Sequence, residues 1–181
     1  MKRWTALLVL LAALLYVAPQ AGAQAVYTAT RKTRIQVGAG ALYLKNDYTE
    51  RANEGVTVWG DYDFSKYIGL ELEGHFGGIR VPDDINENSY LVGPRLSYRL
   101  GRLNVFGKVM VGRGTISTQY TSQPNSSASY NIFAGGGGLE YRASRSFNIR
   151  VADIEMQNWY AFKPHSLSPL AVSAGLFYVF H

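Results

Sequence analysis

The chain has 181 residues, a formal charge of +5 and no cysteine. Its length fits a single domain, and the absence of cysteine excludes disulfide bridges and thiolate metal sites. A modest positive charge gives no support for a nucleic-acid partner, and none is expected. The 13 tyrosines and 19 glycines indicate a protein rich in β-strands with closely approaching backbones.

The N-terminal residues have the three parts of a secretory signal peptide. Lys2 and Arg3 precede an apolar run at 6–17, and small residues lead to a cleavage site between Ala23 and Gln24. The apolar run is too short for a transmembrane helix, which needs roughly 20 residues. We therefore predict a signal peptide at 1–23, an N-terminal periplasmic arm at 24–33 and a folded domain at 34–181. Removing the signal peptide takes away two basic residues and lowers the net charge to +3.

Eight segments alternate between apolar and polar side chains, which predicts eight β-strands. The predicted strands are Arg34–Leu44, Gly55–Phe64, Tyr67–Gly77, Ser89–Leu100, Leu103–Gly114, Tyr130–Arg142, Phe147–Trp159 and Pro169–Phe180. Short turns follow the second, fourth and sixth strands, whereas long polar connections occupy 45–54, 78–88, 115–129 and 160–168. Alternating short and long connections between an even number of strands are typical of an up-and-down membrane barrel, with periplasmic turns and extracellular loops.

Two positions interrupt the regular strand pattern. In the seventh strand the apolar face reaches Val151, and continued alternation would add Asp153 and Glu155 to that face. A β-bulge near Ala152 would return both acids to the polar face, and we predict one there. In the fourth strand, Pro94 lacks the N–H that a closed sheet uses at every position.

Alternation alone does not distinguish a membrane barrel from a soluble, lipocalin-like barrel whose apolar face points inward. Aromatic residues form two levels, as the two interfacial girdles of a membrane barrel require. Beside the short turns lie Phe64, Tyr67, Tyr98, Tyr141, Phe147, Tyr178 and Phe180, and toward the long connections lie Tyr43, Phe76, Tyr90 and Phe133. We also expect no Asp, Glu, Lys or Arg on the apolar face, which is therefore predicted to contact lipid.

The opposite face carries charged residues of both signs. They are Asp61, Asp63, Glu71, Glu73, Arg95, Arg99, Lys108, Glu140, Arg142, Arg150, Asp153 and Glu155. Because eight strands enclose an interior only wide enough for side chains, we expect these groups to pair in a packed polar core. If water threads the network, its acids would favour cations in a narrow pore.

The last strand carries Ser173, Gly175, Tyr178 and Phe180, a spacing that resembles the C-terminal assembly signal of bacterial outer-membrane barrels. With the segments at 90–100 (YLVGPRLSYRL) and 135–142 (GGGGLEYR), residues 33–180 resemble the small eight-stranded outer-membrane barrels. That group includes the membrane domain of outer-membrane protein A and the outer-membrane β-barrel domain family. The resemblance implies an all-β, eight-stranded antiparallel up-and-down transmembrane β-barrel in the bacterial outer membrane. It also implies outer-membrane lipid and the barrel assembly machinery as partners, and a monomeric state.

The strongest candidate for catalysis is His165, which lies near Ser166 and Ser168. A serine nucleophile needs an oriented base, and no carboxylate follows Glu155 to orient this histidine. We therefore interpret the segment as an ordinary polar loop and expect no enzymatic activity.

The sequence also suggests a metal site and a phosphate loop, and neither interpretation is favoured. His75 alternates with Glu71 and Glu73, but three residues on one strand are too spread to bind one metal ion. The glycines at 135–138 lack the lysine and the helix of a phosphate loop. No cofactor and no metal are expected.

The sequence favours an integral outer-membrane protein with a structural or surface-interaction role through its four long loops. Two alternatives stay open at this point: a narrow, cation-preferring pore and a soluble periplasmic lipocalin-like carrier. The ligand of the loops is not identified by any motif.

Overall fold

The computed structural model describes residues 33–45, 52–78, 85–118, 126–160 and 167–180. All of them belong to the compact unit Lys32–His181. The predicted signal peptide, its cleavage site at Ala23 and Gln24, and the arm up to residue 32 lie outside these residues. Among the described residues, no helix is long and apolar enough to cross a membrane.

Eight antiparallel strands form one closed barrel in which sequence neighbours pair and the first strand pairs with the last. The strands are β1 (Arg34–Lys45), β2 (Ala52–Asp63), β3 (Ile68–Gly77), β4 (Ile85–Leu100), β5 (Leu103–Thr118), β6 (Ser126–Tyr141), β7 (Phe147–Tyr160) and β8 (Leu170–Phe180). Closure gives every strand a partner on both sides, so backbone polar groups are satisfied without water. The predicted fold class is confirmed.

The middle strands β4, β5 and β6 have 16 residues each and are longer than predicted. The segments 85–88, 115–118 and 126–129, which we expected in loops, belong to these strands. Their described Asn, Ser and Thr side chains point outward, whereas Ile116 and Ala128 point inward, so the pattern of apolar residues outside and polar residues inside that marks the other strands is lost there.

The apolar face points outward. Leu72 and Met156 are 58% and 67% exposed, whereas the alternating side chains face the lumen and are largely polar or charged. All the predicted aromatic residues of both levels are exposed or half-buried on the outside, and some contact one another, such as Tyr67 and Tyr98 with ring centroids 6.2 Å apart. An apolar outside and a charged inside require lipid as the surrounding solvent, which excludes the soluble carrier.

The expectation of an uncharged outer face is wrong at Arg113. This side chain is exposed on the same face as Val109 and Val111. Arg113 pairs with Tyr90, which belongs to the aromatic level near the long connections. At that level lipid headgroups replace hydrocarbon, and a long arginine side chain can reach water.

The predicted bulge in β7 is confirmed. The pairing of β7 with β6 and with β8 shifts between Arg150 and Asp153, so Val151 and Ala152 form the irregularity. As a result Arg150 and Asp153 are both buried on the lumen side. Pro94 is outward and exposed, and the pairing of β4 with β5 is interrupted at this point without a change of register.

We expect Leu72→Arg to lower the free energy of unfolding in phospholipid vesicles by about 2–4 kcal/mol. Leu72 lies at the middle of β3 on the outer face, so the arginine would be placed in hydrocarbon. Urea unfolding followed by tryptophan fluorescence measures the change. Ser129→Arg, on the exposed outer face near the beginning of β6, is the control and should change stability by less than about 1 kcal/mol. Equal costs at the two positions would contradict a lipid-facing surface.

Candidate functional site

The lumen contains a network of buried charges, which we call the charge network. Its cations are Arg95, Lys108 and Arg150, and its carboxylates are Asp61, Glu71, Glu73, Glu140, Asp153 and Glu155. The side chains that form these ion pairs are no more than 4% exposed. Charges sealed from water need close partners, so the network depends on each of its few cations.

Lys108 lies at the centre of one half of the network. Its Nζ is 3.2 Å from Glu71 Oε1, 2.8 Å from Asp153 Oδ2 and 3.2 Å from Glu155 Oε2, and it also contacts Glu73. Carboxylate oxygens of Glu71, Glu73 and Asp153 lie within 4.8 Å of one another, close enough to hold a metal ion. The ammonium group of Lys108 therefore occupies the position that a cation would take.

Two arginines form the other half of the network. Arg150 donates to Glu71 Oε1 at 2.9 Å and to Asp153 Oδ2 at 3.0 Å, and its Nη2 lies 3.2 Å from Glu140 Oε1. Arg95 Nη2 lies 2.7 Å from Glu140 Oε2. A guanidinium group is planar and donates several hydrogen bonds in fixed directions, so each arginine can bind more than one carboxylate at once.

Aromatic rings enclose the arginines. The guanidinium carbon of Arg150 lies 4.2 Å from the ring centroid of Trp59, and that of Arg95 lies 4.2 Å from the centroid of Phe106. Trp59 also packs with Phe177 and Val179 in a buried cluster. These contacts fix the guanidinium planes and exclude water from them.

A hydrogen-bonded chain leads from the network toward the long-loop end. Trp159 Nε1 donates to Gln157 Oε1 at 2.8 Å, and Gln157 Nε2 lies 3.0 Å from His75 Nδ1. His75 Nε2 lies 3.0 Å from Glu73 Oε1. His75 therefore takes part through hydrogen bonds, and the group of oxygens that could hold a metal does not include it.

An apolar cluster lies beyond this chain and covers the network on the long-loop side. It consists of Leu91, Met110, Ile132, Ala134, Trp159 and Leu167, with Ile116 and Tyr130 packed against it. A second small cluster contains Leu42, Leu44 and Ala171. The lumen of the described barrel is therefore filled by side chains rather than by an open channel.

Three of the charged residues predicted to share the core lie outside the charge network. Arg99 and Arg142 are exposed at the short-turn mouth of the barrel, and Asp63 is half-buried there. Asp63 accepts a hydrogen bond from Gln36 Nε2 at 3.0 Å. The sequence shows the correct face for these residues, but it does not show that the strands carry them past the end of the packed core.

The residues of the proposed assembly signal are divided between the two faces of β8. Tyr178 and Phe180 are exposed on the outer face with ring centroids 4.9 Å apart, and Ser173 is buried in the lumen. A Cβ at Gly175 would meet the backbone of Ala39 and Gly40 on β1, so the glycine permits the strands to close. The catalytic candidates His165 and Ser166 lie outside the described residues.

Sequence patterns missed the aromatic part of the lumen. Gly38 and Gly114 could have indicated it, because both glycines face the lumen. In each case a tryptophan ring occupies the space that a larger side chain at the glycine position would need. A Cβ at Gly38 would overlap Trp59, and a Cβ at Gly114 would overlap Trp159. A lumen glycine paired with a large lumen residue on another strand therefore indicates close packing across the barrel.

Comparison with known proteins gives a family match over almost the whole chain. The sequence model of the outer membrane protein beta-barrel domain matches residues 7–179. No curated protein sequence matches the chain.

Solved structures with the same fold include three bacterial proteins. Neisserial surface protein A has a TM-score of 0.62 at 10% identity, with 81% of this chain and 96% of that chain covered. OprG of Pseudomonas aeruginosa has a TM-score of 0.58 at 13% identity, with coverages of 82% and 96%. Ail, the attachment invasion locus protein of Yersinia pestis, has a TM-score of 0.55 at 19% identity, with coverages of 82% and 97%.

Proposed function

Because this chain belongs to the outer membrane protein beta-barrel family, we propose that it is an integral outer-membrane protein that acts through contacts at the cell surface and catalyses no reaction. In this arrangement the short turns face the periplasm and the long connections face outward. The membrane band would hold the protein in outer-membrane lipid, and the C-terminal residues Tyr178 and Phe180 would direct assembly by the barrel machinery. A closed barrel needs no partner to cover an edge, which favours a monomer.

The observation that carries this proposal is a polar continuation of the outer sheet surface on β4, β5 and β6, which we call the polar extension. Its outward side chains are Asn86 and Asn88 on β4, Arg113, Thr115 and Ser117 on β5, and Ser127, Ser129 and Asn131 on β6. Pairing aligns them in rows across the three strands, such as Asn88, Thr115 and Ser129. This surface continues the strands beyond Tyr90 of the aromatic level, where lipid no longer covers the sheet.

The polar extension has the chemistry of a recognition surface for a polar, mostly uncharged partner. Thr115 Oγ1 and Ser129 Oγ are 3.2 Å apart, and Ser117 Oγ donates to Ser127 Oγ at 3.4 Å. Arg113 is the charged side chain among its eight outward residues. Neutral donors and acceptors on a rigid sheet suit hydrogen bonding to hydroxyl-rich ligands, and we infer a neutral glycan as the ligand class.

Ail has been solved in complex with the heparin analogue sucrose octasulfate. A sulfated ligand needs several basic groups, whereas the polar extension offers Arg113 alone among its described side chains. Sucrose octasulfate is therefore a suitable negative probe for this protein.

Binding of bacteria to immobilised neutral glycans tests the proposal. Cells that display the wild-type barrel should bind, and the triple variant Asn88→Ala, Thr115→Ala, Ser129→Ala should bind roughly tenfold less, because several hydrogen bonds are lost. The control variant Lys66→Ala, Arg145→Ala changes exposed residues at the short-turn end and should bind as the wild type does. Heat-modifiable gel migration confirms that each variant is folded. Equal binding by the triple variant, or no binding above vector-only cells, would reject the proposal.

A narrow cation pore is the second candidate, because the charge network has six carboxylates and only three Lys or Arg side chains. The packed lumen argues against it, since conduction requires continuous water. Recordings in planar bilayers distinguish the two functions. Steady cation-selective openings that Glu71→Ala abolishes would replace the surface role, and silent bilayers containing folded protein would exclude the pore.

A further inference from the structure

The periplasmic mouth of the barrel contains a small recess that is partly open to solvent. Its lining includes Arg34, Arg99, Arg102, Arg142, Asn104 and Asn148. Arg34 begins β1, Arg99 and Arg102 lie at the end of β4 and in the turn that follows it, and Arg142 directly follows β6. The closed barrel thus brings together four guanidinium groups from three separate parts of the sequence.

The arginines of the recess lack nearby counter-ions. Within the described parts of the chain, none of the four has a carboxylate oxygen within 4.0 Å. Glu140 also lines the recess, but its oxygens already pair with Arg95 and Arg150 at 2.7 and 3.2 Å. Asp63 is the other acid near this mouth: it lies opposite Arg34 in the β1–β2 pairing, attracts Arg34 and Arg99 at longer range, and accepts a hydrogen bond from Gln36. Asp63 offsets only part of the charge of the four arginines, so the recess carries an excess of positive charge.

A buried amide at the same place is also incompletely bonded. Asn148 is 2% exposed, lines the recess, and has no hydrogen-bond partner for its side-chain oxygen among the described residues. A buried amide oxygen without a donor is unfavourable, so a ligand that supplies a hydroxyl group would complete the site. Arginine guanidinium groups prefer oxyanions that can accept two parallel hydrogen bonds.

We propose that the periplasmic recess binds a phosphate group that carries both anionic oxygens and a hydroxyl donor. The anionic oxygens accept hydrogen bonds from the arginines, and the P–OH group donates to the side-chain oxygen of Asn148. The recess lies at the end of the barrel opposite the polar extension, so it does not depend on the glycan binding proposed above; only its place in the periplasm rests on the orientation proposed there.

Calorimetric titration with inorganic phosphate and with pyrophosphate tests the recess. For this titration the chain without its predicted signal peptide is refolded into octyl glucoside micelles, because this detergent carries neither charge nor phosphate. The wild type should bind, and the variant Arg99→Gln, Arg142→Gln should bind roughly 10- to 100-fold more weakly, because two charge-assisted contacts are removed. If the double variant does not fold, Arg99→Gln and Arg142→Gln separately should each show part of the loss.

The matched control is the variant Lys66→Gln, Arg113→Gln. It removes the same amount of charge from two positions outside the recess, one at a different turn and one at the opposite end of β5. It should retain wild-type affinity. If both double variants bind phosphate equally weakly, the effect comes from general charge attraction and the proposal is wrong. A wild-type protein that binds neither anion would also overturn it.

A second series identifies the source of the phosphate. Micelles that contain phosphatidic acid offer a lipid phosphomonoester, which carries the P–OH donor of the proposed ligand near neutral pH. If this lipid competes with pyrophosphate for the wild-type protein, the natural ligand is a lipid headgroup. If pyrophosphate binds with unchanged affinity, the recess binds a soluble phosphate from the periplasm. Both results support the phosphate site and assign its ligand.

Discussion

Replacing Lys108 by methionine is expected to lower the free energy of unfolding of the barrel by about 3–5 kcal/mol. Methionine has a similar volume, but it leaves Glu71, Glu73, Asp153 and Glu155 without the ammonium group that they share. Uncompensated carboxylates in a sealed interior are much less favourable than the same groups in water. Urea unfolding in phospholipid vesicles, followed by tryptophan fluorescence, measures the loss.

Two further variants show whether the loss comes from charge. Lys66→Met changes an exposed lysine whose Nζ lies 5.1 Å from the ring centroid of Tyr67, and it should cost no more than about 1 kcal/mol. Adding Glu73→Gln and Asp153→Asn to Lys108→Met should recover much of the lost stability, because two of the four carboxylates are then neutral. A cost for Lys108→Met as small as that for Lys66→Met would show that the ammonium group does not hold the network together.

Gly38→Val is expected to destabilise the barrel by about 3 kcal/mol through overpacking. A Cβ at position 38 would overlap the ring of Trp59 and would lie 2.8 Å from Phe177 Cβ. Trp59 cannot move away easily, since Arg150 stacks on its ring and Phe177 and Val179 pack around it. The same urea titration measures the effect.

A glycine on the outer face provides the control for this substitution. A Cβ added at Gly135 would have no heavy atom within 4 Å, so Gly135→Val should leave stability unchanged or raise it slightly. The double variant Gly38→Val, Trp59→Leu should regain part of the loss, because the smaller side chain frees volume in the lumen. If Gly38→Val and Gly135→Val cost the same, the close packing between Gly38 and Trp59 is not what limits substitution.

Alternation predicted the strands well wherever the chain crosses lipid. One face must then be apolar and the other polar, so the period of two is strong, and the acids Asp153 and Glu155 even located the bulge. Beyond the lipid the outer face is polar, so this pattern is lost. The long-loop ends of β4, β5 and β6 were therefore missed, because residues such as Ser127 and Thr115 are as common in loops as in strands.

The partners within the charge network could not be predicted from the sequence. Because the strands are tilted, a row of residues paired from strand to strand does not return to its starting residue after one turn around the barrel. The row that starts at Phe177 on β8 continues through Gly38 on β1 and Trp59 on β2. It ends at Trp159 on β7, which pairs with Leu167. One turn around the barrel thus displaces the row by ten residues, from 177 to 167. This displacement decides which lumen side chains lie at the same level along the barrel axis. The alternation of apolar and polar residues contains no information about it.

The charge network also constrains how the barrel can be assembled. Its contacts join residues distant in sequence, with separations of 79 between Arg150 and Glu71 and 89 between Arg150 and Asp61. Neither of these contacts can form until β7 faces β2 and β3 across a nearly complete cylinder. A partly built sheet would expose carboxylates without counter-ions, so intermediates should be sparsely populated and readily cleaved by periplasmic proteases. We therefore expect the polar interior to make folding cooperative, so that closed barrels resist proteolysis and incomplete sheets do not.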